Sequence, residues 1–176
     1  MNTAIALRKS RPGWLNQTFL ELGLVLLLLL GVGLPNLVYP FGTDQGEYAY
    51  TAVEMLSGEV IYRDVFNVKP PMTHVLHAAA LQVFGRSMLS LRLLDWFWQA
   101  GTGVTIAAIT WLLYRRRWAG LLAGAIYGVG YYSVDFWHSA QTDGFVNLPA
   151  ALCVLFFVLG IQRNRLVFWL LSGSMA

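Results

Sequence analysis

Thr43–Pro71 reads TDQGEYAYTAVEMLSGEVIYRDVFNVKPP. It is the one long polar stretch between apolar runs, and it carries five of the chain's nine acidic residues: Asp44, Glu47, Glu54, Glu59 and Asp64. Arg63 and Lys69 add a basic pair suited to an anion, and Pro70-Pro71 adds a stiff step. Apolar runs on both sides make this segment a loop held at a membrane surface. Ser57-Gly58 divides it into a helix before and a loop after. On the helix, Tyr48, Ala49, Ala52, Val53 and Leu56 share one face, while Gln45, Thr51 and Glu54 face elsewhere. That is an amphipathic helix suited to a membrane interface.

The 176-residue chain is 57% hydrophobic and 12% charged, against roughly 25% charged in a soluble domain. Long uncharged runs complete the picture of a multi-span membrane protein. The net charge is only +3, but the basic residues are clustered: Arg8, Lys9 and Arg11, then Arg115–Arg117, then Arg163 and Arg165. No basic face is interleaved with aromatics, which argues against nucleic acid as a partner. Cys153 is the single cysteine. A disulfide framework and a thiol metal cluster are therefore excluded.

The expected fold is all-α: a polytopic transmembrane protein whose extracytoplasmic loop, about 40–88, carries amphipathic interfacial helices. Spans are expected at about 19–38, 94–114, 118–134 and 144–161 within one domain over 1–176. The first is read as uncleaved, because GLPNLVYP offers no small-x-small cleavage site. MTHVLHAAALQVF, after Pro71, is too short to cross upright and reads as interfacial, re-entrant or docked on other spans. A fifth apolar run starts at Leu166, and its eleven residues cannot cross a ~30 Å hydrocarbon layer. The chain is accordingly expected to be the amino-terminal part of something longer. The basic clusters place the amino terminus, the arginine triplet and the Arg163/Arg165 turn inside. Thr43–Pro71 and Asp135–Asp143 then share the opposite face, and the expected location is the inner (plasma) membrane.

That topology brings two distant acidic segments together. Asp44 can serve as a general base or as a helix N-cap, since Asp44-x-x-Glu47 approximates a capping box. Asp143, in Thr142-Asp143-Gly144, has the same two readings. A converging carboxylate pair suits acid/base work or a divalent metal, although no cofactor is fixed by the sequence and no metal ligand set is assigned. Lys69 is held on an extended stalk by Pro70-Pro71. Its target is a phosphate, with Arg63 or His138 helping, or lipid head groups reached by snorkelling. His74 and His77 share one helix face, as a polar stripe or as two ligands of a metal lacking an evident third. Arg92 and Asp95 read as an intrahelical ion pair. Trp96, Trp98, Tyr131, Tyr132 and Trp137 read as an aromatic belt.

DQGEYAY, YRDVFNVKPPM, LQVFGRSMLSLRLL and the distant QTDGF occur in that order. The series resembles the GT-C membrane glycosyltransferases, in particular the protein O-mannosyltransferase and aminoarabinose transferase branch, from about Thr43 to Ile161. The resemblance implies transfer of a sugar from a polyprenyl-phosphate donor to a hydroxyl of a protein, lipid or glycan acceptor. It implies that Asp44 is the catalytic base, that Lys69 lies near the donor phosphate, and that Asp143 is the acidic residue before the fourth span. Glu47, Arg63 and His138 join Lys69 on the expected substrate side. Gln45 stands where many mannosyltransferases have a second acidic residue, and Val68 where aminoarabinose transferases have a glutamate. Two rival readings remain: a transporter or flippase for a lipid-linked sugar, which would want ionisable residues along a midplane path, and a non-catalytic membrane scaffold.

Overall fold

A computed structural model describes residues 13–176; the basic cluster Arg8, Lys9 and Arg11 lies outside the described residues. Every regular element among the described residues is helical, and the loop 57–70 between two of the helices holds an isolated bridge between Ile61 and Val65. Helix α1 (Gly13–Gly33) runs into a 3₁₀ turn (Leu34–Val38); α2 (Thr43–Leu56) and α3 (Pro71–Phe84) follow. Then come α4 (Met88–Tyr114), α5 (Arg117–Tyr132), a short 3₁₀ turn (Phe136–His138), α6 (Thr142–Arg163) and α7 (Leu166–Met175). Among the described residues, two helical stretches are long and apolar enough to cross a membrane, Phe19–Val38 and Thr142–Arg163.

Helix α4 is the centre, packing on α1, α3, α5 and α6. Its 27 residues make it about 40 Å long. Toward α1 and α5 the seam is made of small residues. Val25 and Leu29 of α1 are buried there, whereas Leu20, Leu24 and Leu27 on its other side stay exposed. A Cβ on Gly120 would lie 2.9 Å from the Ala107 carbonyl oxygen. Glycine is what lets the α4 and α5 backbones approach so closely. At the far end of the bundle, left-handed Arg115 and Asn164 close α4 and α6. Gln162 there donates to the Leu112 carbonyl and accepts from Arg115.

The near end, where α2 and α6 begin, is tied by a buried polar cluster on α4. Arg92 and Asp95 are both fully buried. Instead of the expected direct ion pair, the Asn36 amide stands between them. Its nitrogen donates to Asp95 at 2.9 Å and its oxygen accepts from Arg92 at 3.4 Å. Arg92 also donates to the Pro40 carbonyl, to the Ser139 hydroxyl and, at 3.0 Å, to Gln45 Oε1. Asp95 accepts further bonds from Gln99 at 3.0 Å and Tyr131 at 2.7 Å. One residue pair therefore fastens the end of α1, the start of α2, α5 and the link before α6. An i,i+3 pair meets directly only when nothing better competes, and here buried carbonyl and amide groups do.

The tryptophans do more than line an interface. Trp96 donates to the Leu30 carbonyl of α1 at 3.0 Å. Trp98 donates to the Phe145 carbonyl at 3.1 Å. That carbonyl would bond the amide four residues on, but Pro149 occupies the position and has no N–H. The indole supplies the missing donor.

Helices α2 and α3 pack on each other and on α4 through Ala52, Ala78, Ala80, Leu81 and Leu91. The inward face of α2 includes Gln45 and Thr51, both buried, contrary to the periodicity reading. His74 and His77 also point inward, and both are 0% exposed. Tyr48 meets each of them edge-on, at centroid separations of 6.0 and 5.6 Å. His77 Nδ1–H donates to the Thr73 carbonyl at 2.7 Å, and its Nε2 has no partner. Burial therefore lowers the His77 pKa from 6.5 to about 4 and also lowers that of His74.

Replacing Arg92 with Met leaves several buried acceptors without a donor and is expected to cost about 3–5 kcal/mol, read as a lowered thermal midpoint in detergent. His77 is neutral when folded, so its contribution is present above pH 6.5 and drains away as pH falls toward about 4. On the order of 3 kcal/mol is at stake. Thermal midpoints across that pH range should fall more steeply in the wild type than in His77→Gln.

Candidate functional site

Both acidic residues singled out in the sequence occupy the second position of a helix. Helix α2 begins at Thr43, after Gly42 at the N-cap, and α6 begins at Thr142, after Gln141. Neither aspartate is the cap. At α2 the reciprocal bond comes from Gln45, whose Oε1 accepts from the Gly42 amide at 2.8 Å. The same oxygen takes the bond from Arg92, and the Gln45 amide nitrogen donates to the Ser139 carbonyl at 2.5 Å. Gln45 is thus the anchor of the first turn, which frees Asp44 to be exposed beside it. Asp143 is likewise exposed, while Gly144 and Phe145 after it are buried. First-turn carboxylates are favoured at both places by the partial positive charge of the helix start.

Lys69 is positioned by its backbone. Its amide donates to Asn67 Oδ1 at 3.0 Å, and its carbonyl accepts from the Tyr62 hydroxyl at 2.5 Å. Pro70 then caps α3 and Pro71 is its first residue. The stalk expected from the Lys-Pro-Pro order is present, with anchoring on both sides of the lysine. The ammonium lies 5.9 Å from the centroid of the Tyr48 ring. Its pKa is raised, first by the Tyr48 hydroxyl and then by the charges of Asp44 and Asp143. Tyr48 itself donates to Gln141 Oε1 at 3.1 Å, and Thr73 donates to Thr142 Oγ1 at 3.1 Å. These bonds join α2 and α3 to the start of α6.

Asp44, Lys69 and Asp143 therefore converge on one end of the bundle. Arg63 does not join them: it is on the exposed turn after α2, paired with Asp64 at 2.7 Å. Glu47 is exposed on α2, a turn beyond Asp44. His138 is exposed in the 3₁₀ turn before Ser139, and its carbonyl faces the Tyr131 hydroxyl at 3.4 Å. Val68 is 81% exposed next to Lys69. Among the described residues no three His, Cys, Asp or Glu side chains are grouped to hold a metal.

Below the charged groups opens an apolar groove of about 620 Å³. Pro70, Thr73 and Thr142 line it near the charged end, and Phe145, Pro149 and Cys153 continue it along α6. The arrangement pairs proton-accepting carboxylates with a cation at the head of an apolar channel. It can bind an amphiphile with an anionic head and a hydrocarbon tail, and can take a proton from a neighbouring group.

Sequence reasoning missed Tyr48, Gln141 and Thr142 as parts of this arrangement. Tyr48 had been assigned to an apolar face, and only its phenolic oxygen, which must find a partner when buried, hinted at more. Gln141 and Thr142 adjoin Asp143, but their partners lie far away in the chain.

Residues 68–176 match the model of the dolichyl-phosphate-mannose-protein mannosyltransferase family. Lys69 and Asp143 fall within the match, and Asp44 precedes it. No curated protein and no solved structure matches the chain. The family match spans more than half of the sequence, and the chain belongs to the dolichyl-phosphate-mannose-protein mannosyltransferase family, a family of membrane glycosyltransferases.

Proposed function

We propose that this protein transfers a sugar from a polyprenyl-phosphate-linked donor to an acceptor hydroxyl at the extracytoplasmic face of the membrane. What supports the reading is that the Lys69 ammonium lies within electrostatic reach of both Asp44 and Asp143, and that the neighbours of Lys69 and Asp143, Pro70 and Thr142, line an apolar groove. In this reading α1, α4, α5 and α6 span the bilayer, and α2 and α3 lie at its outer surface. The isoprenoid tail runs along the groove, and the phosphate reaches Lys69.

Asp44 is the base. It takes the acceptor's proton as the hydroxyl oxygen attacks the anomeric carbon, and the bond from that carbon to the phosphate oxygen breaks. The leaving lipid phosphate keeps the electron pair, and the Lys69 ammonium offsets its charge. Asp143 helps to orient the ammonium and the sugar. The apolar lining of the groove supports transfer over a flippase, because the buried charges at Arg92 and Asp95 are engaged by fixed protein partners rather than lining that groove.

In the intact protein, Asp44→Asn should lower transfer from a radiolabelled polyprenyl-phosphate sugar by about 10²-fold or more at unchanged expression. Retained transfer rejects Asp44 as base. Cysteines placed at 44 and 143, with Cys153 replaced, should both react with a membrane-impermeant thiol reagent added from the extracytoplasmic side only. Reaction from opposite sides ends the proposal.

A further inference from the structure

We propose that Tyr48 is a positioning residue for the transfer site, holding the Lys69 ammonium between Asp44 and Asp143 from behind. The inference rests on the reading of Lys69 as the phosphate contact. Four observations lead to it. First, Tyr48 is 0% exposed, so it does not reach a substrate and any effect on one passes through Lys69. Second, its ring is fixed on two sides by His74 and His77, which meet it edge-on. Third, its hydroxyl proton is committed to Gln141 Oε1 at 3.1 Å. The phenolic oxygen keeps lone pairs for a second donor, and the Lys69 ammonium, which interacts with this hydroxyl, is the fitting one. Fourth, Lys69 has its ammonium 5.9 Å from the Tyr48 centroid, and among the described residues no carboxylate is in salt-bridge contact with it.

The geometry answers a problem that a flexible side chain poses. Lysine loses much of its rotamer freedom when ordered. A direct bridge to Asp44 or Asp143 would order it but would also neutralise it and occupy the base. A neutral, buried phenol orders the ammonium without using its charge. Burial keeps the Tyr48 hydroxyl protonated by raising its pKa. Because Gln141 is the residue before α6, the same hydroxyl also sets the spacing between the starts of α2 and α6, and so between the two aspartates.

The test uses the two lysines of the chain, Lys9 and Lys69. The intact protein in lipid nanodiscs is reductively methylated with formaldehyde over a pH series, and both lysines are followed by peptide mass spectrometry. The groups facing Lys69 are Tyr48, Asp44 and Asp143. Tyr48→Phe keeps the ring and removes only the hydroxyl. At about pH 9 the Lys69 rate relative to Lys9 should then rise on the order of threefold, as expected for losing one partly solvated contact to a charged group. In the same preparation the donor KM should rise more than kcat falls. A Lys69-to-Lys9 ratio unchanged across the series overturns the proposal. If Tyr48→Phe does not fold, Tyr48→Met, which also removes the hydroxyl, is read in the same way, an unchanged ratio again being fatal. A shifted ratio with unaltered transfer kinetics keeps Tyr48 as the holder of Lys69 and removes Lys69 from the transfer reaction.

Discussion

A guanidinium sealed inside a helical bundle must collect its own solvation. Arg92 is 0% exposed, and a bare charge there would cost several kcal/mol. The acceptors come from wherever the chain can supply them: a carbonyl at Pro40, side-chain oxygens at Asn36, Gln45 and Ser139. None of these lies on α4. The consequence is architectural. Every segment that contributes an acceptor is fixed in register against the middle helix, and those segments are the ones that adjoin Asp44 and Asp143.

The site can therefore be understood as a by-product of that solvation. Gln45 is tied down by Arg92, so the first turn of α2 cannot rotate, and Asp44 beside it has a set direction. Ser139 is tied down by the same cation, so the link before α6 is held, and Asp143 follows. A glutamine at position 45 makes sense in these terms. An amide both accepts from Arg92 and donates to the Ser139 carbonyl, whereas a carboxylate has no hydrogen to give.

Much of this was legible in the sequence because it depends on local pattern. Apolar runs marked the helices, prolines marked the Lys69 stalk, and the polar links marked Asp44 and Asp143. What was hidden depends on partners distant in the chain. Nothing near Arg92 announces that Asn36 will separate it from Asp95. Gln45 and the two histidines look like surface residues, since polarity normally goes outward. They turned inward because α3 folds back over α2 and the start of α4 demands an acceptor. The N-cap readings at Asp44 and Asp143 fall past the actual caps, Gly42 and Gln141, and at α2 the bond at Gly42 is made by Gln45, whose side chain is buried.

The Trp98–Phe145 bond has an effect on mechanics. A helix interrupted by proline ordinarily gains a weak point, because one rung of its ladder is missing. Here the rung is borrowed from the neighbouring helix. Sliding α6 along α4 by a single residue would strand that carbonyl in an apolar wall. The channel side is thereby latched at the depth of Pro149, so any widening to admit a bulky tail has to come from elsewhere along its length.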